Sequence, residues 1–352
     1  MRFLENLWYA AGWGADVGRT PLARRIIDQP VVLYRKEDGG LVALADMCPH
    51  RFSPLSLGKV KGDDIECLYH GLRFDCSGKC VGNPHGPVIP AGAVVRQYPV
   101  AEYDGLVWVW MGDVALADES RITRFPMLNR PDHFTYTKGQ TMEMPLNYEL
   151  LTDNLMDLSH VAFTHADSLG SDGLVPGEIG VRHEGDAIWS DRIGRNGSAP
   201  ACFWASRACA AEDRVDYWLD IRWTPPASFY LYCGITKPGA PREEGKELSS
   251  VQILTPASAN QTYYFIKHFR DYEREDDEMT TVIAKAIVDA FATEDEPMIA
   301  RVSENMAGRD FWKMKPVILP CDGAAVRVRR VREQMLREQE RRTDDPIAEA
   351  AE

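Results

Sequence analysis

Short runs of β-branched, apolar and aromatic residues mark the first 120 positions: Ile26–Ile27, Val31–Tyr34, Leu41–Ala45 and Val107–Trp110. Asp38-Gly39-Gly40 and Asp104-Gly105 lie between them. Apolar runs this short, cut by turn residues, predict a small β-sandwich or barrel. Around Arg121, Arg124, Pro126, Arg130 and Pro131 the pattern turns charged and Pro-containing, and a domain boundary is placed near residue 122. Tyr148–Val161 then follows the helical period. Strand-like segments come at Ala187–Arg192, Val215–Trp223, Phe229–Ile235, Val251–Leu254 and Thr262–Phe269. A long helix is predicted over Asp277–Glu304, where Val288, Phe291, Met298, Ile299 and Val302 recur at helical spacing. Ala324–Arg342 reads as a charged amphipathic helix. The expected class is α+β: a β-rich domain over 1–122, a helix-and-sheet domain over 123–342, and an acidic tail over 343–352.

With 352 residues the chain is long enough for two domains, each with its own core. Hydrophobic residues at 45% and charged residues at 26% are ordinary for a globular protein and exclude disorder as the main state. A net charge of −13 speaks against wrapping nucleic acid or lying on an anionic membrane. Glu5 and Asn6 interrupt the apolar residues at the N-terminus, and no apolar run approaches the roughly 20 residues that span a bilayer. The cytoplasm is the expected compartment. Eight Cys are too sparse for a disulfide scaffold; in a reducing compartment clustered Cys point to metals or catalysis.

Their spacing is informative. Cys48-Pro49-His50 and Cys67-Leu68-Tyr69-His70 each pair one thiolate with one imidazole in a tight loop. Pro49 stiffens the first loop and Gly71 permits a turn after the second. Leu57-Gly58 and Gly62-Asp63 suggest a strand–turn–strand excursion that returns the second loop beside the first. A structural Zn site with Cys2His2 ligands is one reading, but common zinc spacings pair Cys with Cys and His with His. A Rieske [2Fe–2S] centre is another: two Cys hold one iron and two His the other, one of each from each loop. Cys76, Cys80, Cys202, Cys209, Cys233 and Cys321 are read as structural thiols, and His85 as surface or loop packing, with proximity to the cluster as the alternative.

A second cluster lies in Asp153–His165. Asn154, Asp157 and His160 are spaced by three, whereas His160 and His165 are five apart, about 140° on an ideal helix. Both imidazoles meet one metal only if the helix ends or distorts between them. Two imidazoles and one carboxylate make the facial triad of a non-haem Fe(II) oxygenase, with open positions for O2. Among Glu294, Asp295 and Glu296, Asp295 sits in the centre of the apolar stripe, with Phe291 at i−4 and Ile299 at i+4. A bare carboxylate there needs compensation, which a metal ion supplies. Glu294 and Glu296 are expected to face water or the rim.

Cys48 to Arg51 (C-P-H-R) and Cys67 to Gly71 (C-L-Y-H-G) resemble the Rieske signature. With Asp153-Asn154-Leu155-Met156-Asp157-Leu158-Ser159-His160 and His165, nearly the whole chain resembles the oxygenase component of Rieske non-haem iron oxygenases, in the vanillate/dicamba O-demethylase branch. Asn6-Leu7-Trp8-Tyr9-Ala10-Ala11 and Cys321-Asp322-Gly323-Ala324-Ala325 have counterparts there too. The resemblance implies a Rieske domain followed by a helix-grip (START-like) catalytic domain, assembled as a homotrimer. It implies a [2Fe–2S] cluster on Cys48, His50, Cys67 and His70 and an Fe(II) on His160, His165 and Asp295. Asp157 would bridge the two centres between subunits, with His70 as its cluster-side counterpart, and Asn154 would lie near the iron. No dinucleotide-binding glycine motif is present, so NADH would act through a separate reductase, with or without a ferredoxin. The implied reaction is O2-dependent hydroxylation or O-demethylation of a small methoxyaromatic compound, an aromatic acid for which Arg207, Arg222 and Lys267 are the candidate cations. Leu231, Gln252 and Ala286 are the expected pocket residues. Ring or methyl hydroxylation, N-demethylation, and a non-enzymatic electron-transfer module with a ligand-binding domain are the alternatives.

Overall fold

Leu106–Met111 shows no alternation, and all six of its residues are buried. Such a strand belongs inside a sheet covered on both faces. In the computed structural model, which describes residues 2–344, it is the middle strand of an antiparallel sheet with Leu7–Trp13 and Val100–Tyr103. Trp8 lies opposite Trp110 in register, and their rings meet edge to face at 5.5 Å. A second antiparallel sheet joins Leu22–Ile26, Gln29–Arg35 and Leu41–Ala45. A third, of four short strands, contains the expected excursion as Lys59–Lys61 and Asp64–Glu66. These strands form a unit of Met1–Arg124 together with Thr255–Tyr263. The contiguous boundary expected near 122 leaves out that second piece. Long-range backbone bonds fix it there: Ile27 N–H to Pro256 O at 2.8 Å and Asp28 N–H to Ala257 O at 3.0 Å.

The second unit comprises Phe125–Leu254 and Tyr264–Glu352. Its eight-stranded sheet runs in the order Thr135–Tyr136, Gln261–Arg270, Lys246–Ser258, Ser228–Thr236, Arg214–Thr224, Ala187–Ser198 and Glu178–Glu184, with Gln140–Met144 also paired to Gln261–Arg270. Helices accompany the sheet, the helix-grip arrangement. Tyr148–Met156 is capped by the Asn147 side chain, which accepts from Glu149 N–H at 2.7 Å. It stops at Met156, short of the expected Val161, and a separate 3₁₀ turn carries His160–Ala162. The long helix begins under the Asp276 cap and runs Asp277–Ala290. It then widens into a π-helical turn over Phe291–Asp295 and resumes as Glu296–Met306. Pro297 lacks the N–H an uninterrupted α-helix would need, and the wide turn absorbs that defect. In the resumed helix Asp295 and Ile299 are 5% exposed, whereas Met298 and Val302 of the expected stripe are 58% and 42% exposed. The last helix, Gly323–Asp344, is anchored by Arg329, whose Nε donates to both oxygens of Asp153 at 2.9 and 3.0 Å. Residues 345–352 of the expected tail lie outside the described residues. Among the described residues no helix is long and apolar enough to cross a membrane.

Candidate metal centres and the adjoining cavity

The two Cys–His loops close in the same way. Phe52 N–H bonds Cys48 O at 2.8 Å, and Gly71 N–H bonds Cys67 O at 2.9 Å. Cys48 N–H reaches Ser53 O at 2.9 Å, and Cys67 N–H reaches Leu72 O at 2.8 Å. The residue four places after each Cys is left-handed, Phe52 at φ 59° and Gly71 at φ 74°. Both thiols are buried, in one core cluster with Val32, Val42, Leu44, Ile65 and Phe74. Burial pushes the Cys48 thiol up to about 11, with Cys67 in hydrogen-bonding contact. The imidazoles of His50 and His70 lie to the outer side, ring centroids 4.4 Å apart. Two facing buried thiols and two outer imidazoles suit a binuclear iron–sulfur group, whose iron would supply the charge that ionises the thiols. His85 is exposed and lies beside the candidate cluster residues, the alternative reading of it. Its Nε2 lies 3.0 Å from His70 O, and it lines a cleft with His50 and His70.

The second centre is assembled across the fold. His160, His165 and Asp295 place one ligand atom each within 4.8 Å of the others, and they are the one such group of His, Cys, Asp and Glu among the described residues. Asp295 Oδ2 is 3.1 Å from His165 Nε2, and Oδ1 is 3.4 Å from His160 Nε2. The helix end at Met156 resolves the 140° difficulty, since the two His do not share a helix. Each ring uses its other nitrogen elsewhere: Nδ1 of His160 meets the Asp157 carbonyl, and Nδ1 of His165 meets the Glu294 carboxylate. Fixing Nδ1 in this way orients Nε2 toward a metal. Burial works to raise the Asp295 carboxyl, but hydrogen bonds from both His outweigh it and hold it well below the usual carboxylate range. Asn154 Nδ2 donates to Asp295 Oδ1 at 2.9 Å. Two neutral nitrogens and one carboxylate suit a divalent iron with open positions.

Glu294 does not face the rim as expected. It accepts from Ser168 Oγ at 2.7 Å as well as meeting His165, because the π-helical turn presents neighbouring residues Glu294 and Asp295 to the same imidazole. The Asp157 carboxylate accepts from Ser159 N–H at 2.9 Å and lies at the rim of a cleft that His160 also lines.

A cavity of about 900 Å³, counting its open mouth, has the triad in its wall. It is overwhelmingly apolar, as cavities that take small organic ligands are. Leu231 and Gln252 line it as expected. Ala286 does not: it is on the exposed side of its helix, and Ile287, Val288 and Phe291 line the cavity in its place. Sequence reasoning missed Ser250, Tyr264 and His268, which also line it. Their signal was available, since Ser250 with Gln252, and Tyr264 with Ile266 and His268, share strand faces at a period of two. Cys202 and Cys233 line it as neutral thiols, Cys202 pushed up to about 12 by burial.

Residues 7–99 match the family described as Rieske [2Fe-2S] domain, and residues 144–338 match the Vanillate O-demethylase oxygenase C-terminal domain. The chain belongs to the Rieske oxygenases of the vanillate O-demethylase branch. It is 37% identical to the dicamba O-demethylase oxygenase component of Stenotrophomonas maltophilia, over 94% of this chain and 97% of that one. It is 34% identical to the chloroacetanilide N-alkylformylase oxygenase component of Rhizorhabdus wittichii, over 94% and 95%. The crystal structure of dicamba monooxygenase bound to dicamba superposes with a TM-score of 0.90 at 34% identity, covering 97% of this chain and 100% of that one. The protein is thus the oxygenase component of a Rieske monooxygenase, an enzyme rather than an electron-transfer module. Its cofactors are a [2Fe–2S] cluster and a non-haem iron, and a separate protein supplies its electrons.

Proposed function

We propose that this oxygenase removes the methyl group of a small methoxyaromatic compound, with NADH as the ultimate electron source through a reductase or ferredoxin. The observation that carries the reading is the juxtaposition of a two-His, one-carboxylate triad with an apolar cavity. The O-demethylase names of relatives from Stenotrophomonas and Pseudomonas support it. Cys48, His50, Cys67 and His70 would hold the cluster, and His160, His165 and Asp295 the iron. When bound, these groups supply electrons and O2 activation. The chain's own part is positional. Glu294 and the Asp157 carbonyl keep each Nε2 aimed inward, Asn154 steadies Asp295, and the apolar walls exclude water and hold the methyl carbon beside the triad. One atom of O2 enters a methoxy C–H bond, the other leaves as water with the two electrons that NADH supplies and two protons, and the hemiacetal falls to a phenol and formaldehyde.

Holoenzyme given a reductase, NADH and a panel of methoxyarenes should release formaldehyde in step with NADH consumed, and carry about three irons per chain. Ring-hydroxylated products without formaldehyde would shift the reaction to hydroxylation. Formaldehyde from N-methyl but not O-methyl compounds would shift it to N-demethylation.

The active form we infer is a homotrimer in which Asp157 meets His70 of the partner subunit. Exposed Met298, Val317 and Ile318 rim the cleft that Asp157 and His160 share, a surface suited to cover by another subunit. A monomer in sedimentation would end that assignment. The six Cys outside the cluster are free thiols, which supports the cytoplasm as the compartment.

A further inference from the structure

The two imidazoles of the triad are held by unequal means. Nδ1 of His160 meets the carbonyl of Asp157, a backbone group that cannot turn away. Nδ1 of His165 meets the carboxylate of Glu294, whose side chain is 28% exposed against 2% for His165. A partly exposed glutamate is a flexible side chain for which water competes. Each time it leaves, a buried ring nitrogen loses its partner. A neutral imidazole carries its one proton on either nitrogen, and the hydrogen bond made by one decides what the other offers. With no acceptor at Nδ1 the proton moves to Nε2, which faces Asp295 Oδ2 at 3.1 Å. That tautomer has no lone pair on the inner side for a metal.

Ser168 closes this gap. Its hydroxyl donates to Glu294 Oε2 at 2.7 Å, the same oxygen that meets His165 Nδ1. The serine is itself fixed by backbone on both sides: its N–H bonds His165 O at 3.0 Å, and its carbonyl accepts from Cys202 N–H at 3.1 Å. Gly170 keeps this turn tight, since its N–H bonds the same His165 carbonyl at 2.7 Å and a Cβ there would lie 2.9 Å from that oxygen. The turn that presents His165 therefore also presents, three residues later, the hydroxyl that pins the partner of His165. The other acceptor near that hydroxyl is the His165 carbonyl, at the longer distance of 3.5 Å.

We propose that Ser168 is a positioning residue for the mononuclear iron: by pinning Glu294 Oε2 it keeps the proton of His165 on Nδ1 and leaves Nε2 free for the metal. The inference rests on the assignment of the iron to His160, His165 and Asp295. Ser168 does not line the cavity, so its effect falls on metal retention.

The test is anaerobic competition for Fe(II) between the full-length protein, with its Rieske cluster in place, and a coloured chelator. Ser168→Ala should weaken binding at the mononuclear site about tenfold, the low end for a lost supporting partner because Glu294 itself remains. Ser168→Thr keeps the hydroxyl and should keep the affinity, whereas Ser168→Val, of the same shape without it, should weaken binding as alanine does. Added to Glu294→Ala, Ser168→Ala should cost nothing further, because the hydroxyl then has no carboxylate to hold. The Rieske absorbance should be that of the wild type throughout.

A lower urea midpoint with unchanged Fe(II) affinity in Ser168→Ala would make the serine a former of the turn alone and overturn the proposal. So would a further loss of affinity in the double variant. Should the alanine variant not fold, the threonine and valine variants still decide, and equal affinities in those two overturn the proposal. Asp295→Ala keeps the two readings apart. If it binds Fe(II) as the wild type does, the iron lies elsewhere and the inference falls with the triad. If it loses the iron while Ser168→Ala keeps full affinity, the triad stands and the role of Ser168 alone falls.

Discussion

The two metal centres of this oxygenase are built by opposite means. The four candidate cluster residues lie within residues 48–70, on two loops closed by their own backbone hydrogen bonds. The iron residues come from separate elements, and the contact of Asn154 with Asp295 spans 141 positions. Side chains make that second site: Glu294 on His165, Asn154 on Asp295, Arg329 holding the helix that carries Asn154. A centre made of local backbone should tolerate side-chain loss around it and respond to changes in dihedral freedom. A centre made of distant side chains should fail when a single one is removed.

The sharpest division between them is Asp295→Ala. Removing the buried carboxylate takes one of three ligand candidates from the iron and leaves the Cys–His loops untouched. Turnover should fall below detection, the metal content should drop by about one iron per chain, and the visible Rieske spectrum should stay as in the wild type. Retained turnover would move the carboxylate ligand elsewhere. Loss of the Rieske spectrum would mean that the centres do not form independently. A smaller effect is expected from Glu294→Ala, which removes the acceptor that fixes His165 Nδ1. Loss of such a partner costs roughly 10–100-fold in metal affinity. Metal-chelator titration should show that weakening at the mononuclear site, with saturating Fe(II) restoring most of the activity. Unchanged affinity would reduce the Glu294–His165 contact to an incidental one.

The same division explains what could be read from the residues alone. Candidate ligands in local loops declare themselves by spacing, so the Cys48–His50 and Cys67–His70 pairs stand out without knowledge of the fold. Asp295 was found because a carboxylate in an apolar helical stripe contradicts burial energetics unless compensated. Glu294, one position earlier, was misplaced because the reading assumed a regular α-helix. The π-helical turn at Phe291–Asp295 shifts the phase of all that follows relative to the helix before it. Pro297 signalled an irregularity there but not its form. The helix Tyr148–Met156 was drawn too long, since nothing in Asp157–Val161 breaks the pattern as Gly or Pro would. The hairpin tip 255–263 could not be assigned, because its place is set by backbone bonds to Ile27 and Asp28, more than 220 positions away.

The smallest expected effect falls on the backbone-built centre, at one position shared by its two loops. Gly71 and Phe52 both sit four residues after a Cys, and both are left-handed. A Cβ at Gly71 would lie 3.1 Å from Pro84 Cγ, so Gly71→Ala adds a close contact to the unfavourable dihedral. Left-handed backbone costs an L-residue about 1–2 kcal/mol. Gly71→Ala should lower stability by that amount in urea titration, and the cluster's visible absorbance should bleach at a lower temperature. Affinity for the mononuclear iron should not change. Phe52→Gly makes the reverse change at the matching position. Relief of its dihedral is offset by glycine's greater freedom in the unfolded chain, about 0.5–1 kcal/mol, and Phe52 is 70% exposed, so little packing is lost. It should therefore be close to neutral. Equal destabilisation by both variants would show that side-chain contacts, not backbone dihedrals, hold the loops, and the contrast between the two centres would fall.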